Sequence, residues 1–367
     1  MKNIYQRLLD ELKKERSLVL ATIVATEGSS PQVPGVSALF AEERLLFGTL
    51  GGGVLEARAQ EKAFESLEKG DSCLTKFGLY ADITSKEEAI CGGEAYILFD
   101  VKSQEHKETF SLLNEALSNR QPGVLVNVIS RMGDDRVKIS RSWIEKDEIF
   151  GEEAEKQDMP LQGEIKEAFE AGKPVFMPLK KKTEGKETKG GADQESFLYL
   201  EPLHPLSHLI IAGAGHVGKA LAHFGTLLDF EVTVIDDRPE FANRDRLPEV
   251  DYIIVEDIGK AITNLPKTED SYYVIVTRGH SHDAEALKAC IGSDVAYIGM
   301  IGSARKIALM RKNFLDQDWA TPSQFDRVHA PIGIDIQSKT VQEIAVSICA
   351  ELILIRNKVQ GKSREST

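Results

Sequence analysis

The stretch LIIAGAGHVGKALAHFGTLLDFEVTVIDD, running from Leu209 to Asp237, restricts what this chain can fold into more than any other segment. Residues 209–212 read as a short apolar strand, and Gly213, Gly215 and Gly218 fill the glycine positions of G-x-G-x-x-G where that strand turns into a helix. Each glycine has its own steric task. The first permits the tight turn, the second lets a phosphate reach the backbone, and the third lets the helix pack closely on the strand. Residues 231–235 supply a second strand, and Asp236 follows where an acid can hydrogen-bond a ribose hydroxyl. Arg238 can pair with a 2′-phosphate, so NAD and NADP both stay open, and so does an empty crevice, because a fold does not fix chemistry.

Past Asp236 the pattern alternates strand and helix. Residues 252–255, 273–277 and 295–298 read as strands, and 284–290 and 307–314 as helices, which is the rhythm of a parallel sheet covered by helices. Thr340 and Glu343 have capping-box spacing ahead of the stripe Val341, Ile344, Ala345, Ile348, Leu352 and Ile355, so a long final helix is expected. Three loops could carry ligand contacts. Arg278-Gly279-His280-Ser281-His282-Asp283 lies beyond the end of a strand, where open α/β sheets bind ligands; His280 is a candidate polar contact and Asp283 a candidate helix cap. In Gly299-Met300-Ile301-Gly302-Ser303-Ala304-Arg305-Lys306, Ser303 can cap a helix and Arg305 and Lys306 bring positive charge for a phosphate. The third loop, Pro331-Ile332-Gly333-Ile334-Asp335-Ile336, suits a ligand or turn geometry alike.

The first half opens with a helix marked by Tyr5, Leu8, Leu9 and Leu12, then a buried strand at 18–26, a proline-rich loop at 29–35, and a hairpin whose strands, 36–40 and 45–50, flank Glu42-Glu43-Arg44. Gly51, Gly52 and Gly53 precede a periodic helix at 54–69. Bare backbone N–H groups at a helix start can cradle an anion, and Glu56 in the first turn is favoured by the helix dipole. Cys91, Gly92 and Gly93 precede a strand at 95–101, and a cysteine beside two glycines leaves its sulfur approachable. Further on, 124–130 and 137–143 look like paired strands and 162–171 like a helix. Residues 180–196 read as an exposed polar loop, and Pro202, Leu203 and Pro205 as a stiff linker.

With 367 residues the chain exceeds the usual single core, so the expectation is an α/β protein with a mixed α/β domain at 1–200 and a Rossmann-like domain with a mainly parallel sheet at 206–358. A net charge of −13 argues against a nucleic-acid partner. The start leads straight into a helix and no apolar run reaches membrane-spanning length, so a cytoplasmic location is expected. Cys73, Cys91, Cys290 and Cys349 are too dispersed for a zinc knuckle or a disulfide framework. No resident metal site is expected.

The segments Ala25-Thr26-Glu27-Gly28-Ser29-Ser30-Pro31, Gly48-Thr49-Leu50-Gly51-Gly52-Gly53-Val54-Leu55-Glu56, Cys91-Gly92-Gly93, Gly213-Ala214-Gly215-His216-Val217-Gly218 and Val234-Ile235-Asp236-Asp237-Arg238-Pro239 occur in an order that resembles the XdhC/CoxI family of xanthine dehydrogenase accessory proteins. Gly299-Met300-Ile301-Gly302-Ser303 and Pro331-Ile332-Gly333-Ile334-Asp335-Ile336 continue the match. The resemblance implies a chaperone, rather than a catalyst, that binds the molybdenum cofactor (molybdopterin), protects it while a cysteine desulfurase sulfurates it, and inserts it into a xanthine dehydrogenase-type molybdenum hydroxylase. It makes Gly51, Gly52, Gly53, Glu56, Cys91, Gly92 and Gly93 one site, and Gly213, Gly215, His216, Gly218 and Asp236 another; Arg238, His280, Ser303 and Arg305 join the second from the reading of the residues. Val54 stands where many relatives, notably on the CoxI side, carry a second cysteine, and the Gly51-Gly52-Gly53 form is closer to the XdhC side, which favours a xanthine dehydrogenase client. An NAD(P)-dependent oxidoreductase and a nucleotide-sensing regulatory protein are the alternatives, and a homodimer is open, dimers being the commonest assembly.

Overall fold

Tyr5, Leu8, Leu9 and Leu12 recur at helical spacing, and α1 (Ile4–Leu12) buries all four. The computed structural model describes residues 4–30, 32–41, 44–78, 92–151, 161–179 and 195–362, with side chains to 358. It divides into two compact units, Met1–Pro205 and Leu206–Thr367. In the first unit β1 (Val19–Glu27), β2 (Ser37–Ala41) and β3 (Arg44–Gly48) are followed by α2 (Gly53–Lys69), β4 (Cys73–Gly78) and β5 (Glu94–Asp100). These strands make an antiparallel sheet in the order β3-β2-β1-β5-β4. Leu55, Ala59 and Ala63 of α2 pack on one face against Val19, Ala21, Ile23 and Phe99, and the alanines let the helix approach closely. On the other face Leu20 and Leu39 meet α1 and α3 (Lys107–Ser118). Burial on both faces explains why residues 19–24 of β1 are apolar except at Thr22, whose hydroxyl meets that of Ser37.

A second antiparallel sheet contains β6 (Gly123–Arg131), β7 (Val137–Glu145), β8 (Val175–Pro178) and β9 (Ser196–Leu203), in the order β7-β6-β9-β8. Short α4 (Lys146–Phe150) and α5 (Gln162–Ala171) cover one face, while Ile129, Ile139 and Tyr199 on the other meet Val24, Leu74 and Leu98 of the first sheet. A buried ion pair between Asp100 of β5 and Arg141 of β7 joins the two sheets. Burial pushes the Asp100 carboxyl up, but the Arg141 charge and donors from Ser103 (2.7 Å) and the Lys102 N–H (2.8 Å) outweigh it and hold it below its usual value. Glu201 of β9 is buried too, accepts the Tyr5 hydroxyl at 2.6 Å, and is pushed up to about 7 chiefly by burial.

The expected linker is corrected here: Pro202 and Leu203 belong to β9 and pair with Val124 and Gly123. Beyond Leu200 that strand has a partner on the β6 side alone, so a proline without an N–H is tolerated. Of the expected polar loop at 180–196, residues 180–194 lie outside the described residues, and Ser196 already begins β9.

The second unit carries β10 (His208–Ala212), α6 (His216–Leu227), β11 (Glu231–Ile235), β12 (Tyr252–Ile254), α7 (Ile258–Asn264), β13 (Ser271–Ile275), α8 (His280–Cys290), β14 (Tyr297–Met300), α9 (Ala304–Asp316), α10 (Pro322–Asp326) and α11 (Val341–Lys362). Its five strands are all parallel, in the order β12-β11-β10-β13-β14. The first connection returns the chain on one side of β10 and a later one places β13 on the other, which is the Rossmann arrangement. Helices α6 and α11 cover one face and α7, α8 and α9 the other. The capping box forms as expected, with Glu343 N–H donating to Thr340 at 3.2 Å and Thr340 N–H to Glu343 at 3.0 Å. No helix of the described residues is long and apolar enough to cross a membrane.

Candidate functional sites of the two units

In the first unit, antiparallel pairing carries the ends of β1, β3 and β4 and the starts of β2 and β5 to one edge of the sheet, as the pairs Glu27 with Glu94, Ala38 with Gly48, and Gly78 with Glu94 require. Segments far apart in sequence thus become neighbours. A Cβ on Gly93 would sit 2.3 Å from the Ser29 carbonyl oxygen, and one on Gly28 would lie 3.2 Å from the Gly93 Cα. Backbone packs on backbone there, which leaves no room for any other residue. Residues 51–53 turn the chain into α2 with φ of 109°, 71° and 57°, and a Cβ on Gly52 or Gly53 would meet nothing within 4 Å. Gly92 likewise faces open space.

Glu56 folds back over this turn. It accepts the Thr49 hydroxyl at 2.6 Å and the Leu50 N–H at 2.9 Å, while Thr49 in turn accepts the Gly51 N–H at 3.0 Å. Burial raises its carboxyl, but these donors and the Gly52 N–H outweigh that and hold it below its usual value. The turn's own amides therefore serve an internal carboxylate, so an anionic ligand would compete with Glu56 at this turn. Arg58 donates to the Gly78 carbonyl at 3.2 Å, and Lys76 pairs with Glu94 at 2.6 Å beside the Tyr96 ring. The edge thus mixes bare backbone with both signs of charge. Cys91 lies outside the described residues; Cys73, Cys290 and Cys349 are buried thiols, all pushed up by burial, the last two to about 12.

In the second unit, Ala212 pairs with both Ile235 and Ile275, so the loops after β10, β11 and β13 leave the sheet at one level. The glycines divide the labour that G-x-G-x-x-G requires. A Cβ on Gly213, at φ 114°, would lie 2.6 Å from the Val276 carbonyl oxygen, and one on Gly218 would lie 1.8 Å from the Gly213 carbonyl oxygen. On Gly215 it would meet nothing within 4 Å. The first and third glycines are needed by the fold itself, and the second leaves clear the space a phosphate needs. His216 begins α6 and is exposed.

Asp236 is almost wholly buried and fully engaged. One oxygen accepts the Ala214 N–H (2.8 Å) and Arg238 Nη2 (2.9 Å); the other accepts the Arg238 N–H (3.1 Å) and Nε (2.8 Å). Burial raises its carboxyl, and the Arg238 and Ala214 donors outweigh this and lower it. A carboxylate offers about four lone-pair directions, and all are taken. The ribose contact expected of Asp236 is therefore not open to a ligand while Arg238 stays in place.

On the opposite side of β10, Thr277 donates to the fully buried Asp283 at 2.6 Å, and Lys306 forms an ion pair with the same carboxylate. Asp283 is thus not a simple helix cap, as the sequence suggested; it ties the loop after β13 to the start of α9. Ser303 does cap α9, accepting the Lys306 N–H at 3.3 Å. Arg278 pairs with Asp237 at 2.8 Å and lies 3.2 Å from His282 Nε2, whereas His280 and Arg305 are exposed. Sequence reasoning missed this Asp–Lys pair, since neither residue type is diagnostic until the two loops are side by side. Among the described residues no three His, Cys, Asp or Glu side chains are grouped to hold a metal.

Comparison with known proteins agrees with this architecture. Residues 209–352 match the signature of the XdhC Rossmann domain, and residues 12–78 that of the XdhC and CoxI family. The chain is 26% identical to a Bacillus subtilis protein described as a probable xanthine dehydrogenase subunit, in an alignment covering 98% of this chain and 99% of the relative. It is 32% identical to an uncharacterized Escherichia coli protein, YqeB, over 47% of this chain but 31% of YqeB. Its fold is shared with a solved Bacillus halodurans protein described as a xanthine dehydrogenase, with a TM-score of 0.70 at 24% identity over 96% of both chains.

Proposed function

Because the chain belongs to the XdhC family, we propose that it is an accessory protein of a xanthine dehydrogenase-type molybdenum hydroxylase, which holds the molybdenum cofactor for sulfuration by a cysteine desulfurase and for insertion into that enzyme. The observation that carries this reading is the close packing of the segments around Gly28 and Gly92, with the bare turn at Gly51 to Gly53 leaving the same end of the sheet. Gly28 and Gly93 pack backbone against backbone, and the outward positions of Gly52, Gly53 and Gly92 are left bare.

A pterin is flat and rich in hydrogen-bonding edges, so it fits backbone free of side chains better than a pocket of bulky groups would. Gly52, Gly53 and Gly92 would hold the ring by close approach, and Glu56 would keep the turn in shape through Thr49 and Leu50. With Glu56 engaging the amides of the turn, the ring rather than a phosphate tail is the part of the cofactor that this edge suits. When bound, the cofactor supplies the molybdenum centre whose oxo ligand is exchanged for sulfur. Cys91, which adjoins Gly92 in sequence, is the thiol proposed to meet that centre or the transferred sulfur.

The test is to purify the protein from cells making molybdenum cofactor and measure bound molybdenum and oxidised-pterin fluorescence, alongside client activity in a strain lacking the gene. Retained pterin and molybdenum, with the client made but inactive in the deletion strain, is the expected result. A cofactor-free protein together with a fully active client would overturn the proposal.

A further inference from the structure

Arg238 does two things at once: it closes off Asp236, and its guanidinium lies over the Phe241 ring, 3.8 Å from the centroid. A second guanidinium, that of Arg246, stacks on the same ring at 4.8 Å, and its Nε is buried with no hydrogen-bond partner. Two cations therefore share one aromatic ring just beyond β11, where a Rossmann crevice receives the ribose of a nucleotide. The Asp236 bonds use the Arg238 Nε and one Nη2 hydrogen, so the remaining guanidinium hydrogens are held in a fixed orientation, without a partner among the described residues. Of the nearby acids, Asp237 is engaged by Arg278 and Glu240 is exposed to solvent.

We propose that the crevice of the second unit carries a phosphate subsite built from Arg238 and Arg246 on Phe241, and that it selects a nucleotide bearing a 2′-phosphate over one with a free 2′-hydroxyl. A ribose hydroxyl is read by donating to a carboxylate, and here the carboxylate is saturated. A phosphate is read by accepting from a planar fork of donors, which the pinned Arg238 offers at little further cost in side-chain freedom. The bare backbone at Gly215 lies at the end of the neighbouring strand β10, where the 5′-phosphate of the same molecule would rest. This inference does not rest on the accessory role, since it concerns the second unit's crevice alone.

Calorimetric titration of the full chain with 2′,5′-ADP, 5′-AMP and inorganic phosphate tests it. The wild type should bind 2′,5′-ADP at least about tenfold more tightly than 5′-AMP, the difference a charge-assisted fork provides. Arg238→Met should erase that preference. Because that change also uncovers Asp236 and could disturb the fold, Arg246→Met provides a second variant that leaves Asp236 untouched; it should weaken 2′,5′-ADP several-fold and leave 5′-AMP unchanged. Equal or tighter binding of 5′-AMP, no measurable binding of 2′,5′-ADP, an Arg246→Met variant with wild-type preference, or displacement of 2′,5′-ADP by an equal concentration of inorganic phosphate would each overturn the proposal.

Discussion

Two glycines three positions apart should respond unequally to the same added methyl group. At Gly215 the backbone is extended with φ −67°, which alanine adopts freely, and the new Cβ would meet nothing within 4 Å. Restricting the unfolded chain gains about 0.4–1 kcal/mol, which the poorer fit of alanine at the N-cap of α6 offsets, so Gly215→Ala should be near neutral. At Gly218, inside α6, alanine gains about 1 kcal/mol in helix propensity. Its Cβ, however, would stand 1.8 Å from the Gly213 carbonyl oxygen, and that atom is backbone, itself held by a turn against Val276. Forcing α6 away from the loop is an overpacking cost of about 1–3 kcal/mol, toward or beyond the upper end because nothing can rotate aside. The net result for Gly218→Ala is a loss on the order of 2 kcal/mol. Trp319 lies in the second unit and Trp143 in the first, so urea unfolding followed by fluorescence in a Trp143→Phe background reports on the second unit. Equal effects of the two substitutions, or a stable Gly218→Ala, would refute the assignment of the third glycine to the fold and the second to a ligand.

Other expectations follow from the buried charges. Glu201 titrates near 7 in the folded chain and near 4.5 when unfolded, so between these values the unfolded state holds fewer protons and stability falls as pH rises, levelling off above 7. At about 1.36 kcal/mol per unit the loss is about 3 kcal/mol, and Glu201→Gln should flatten it in thermal scans from pH 4 to 8; an unchanged slope in the variant would rule Glu201 out as its source. In a double-mutant cycle, Asp283→Ala and Lys306→Met should couple by about 1–3 kcal/mol, and simple additivity would mean the ion pair adds nothing. Glu56→Gln should leave the first sheet folded but loosen the turn at residues 51–53, seen as faster amide exchange there by mass spectrometry; unaltered exchange would show that the glycine turn holds its shape alone.

The second unit was largely legible because period and punctuation agree along it: glycine spacing, alternating elements and the capping box each specify the same local structure. The first unit was less so between residues 102 and 205. There Pro202 and Leu203 read as linker until one-sided pairing places them in β9, and no pattern marks the neighbouring Glu201 as buried against the Tyr5 hydroxyl. Site residues divide in the same way. The steric roles of Gly213, Gly215 and Gly218 can be read from spacing alone, whereas the choice between a ribose-reading Asp236 and one taken up by Arg238 depends on a side-chain rotation that no sequence pattern encodes. Likewise Glu56 has the same first-turn position whether it guards its own turn or meets a ligand.

The bond from the Ala214 N–H to Asp236 has a kinetic meaning as well. It fastens the middle of the glycine loop to the neighbouring strand before any ligand arrives, so the loop's shape is set in advance rather than on binding. A guest entering such a crevice finds a mould already cast: association should be limited by diffusion and charge, with little waiting for rearrangement, and little ordering entropy should oppose it.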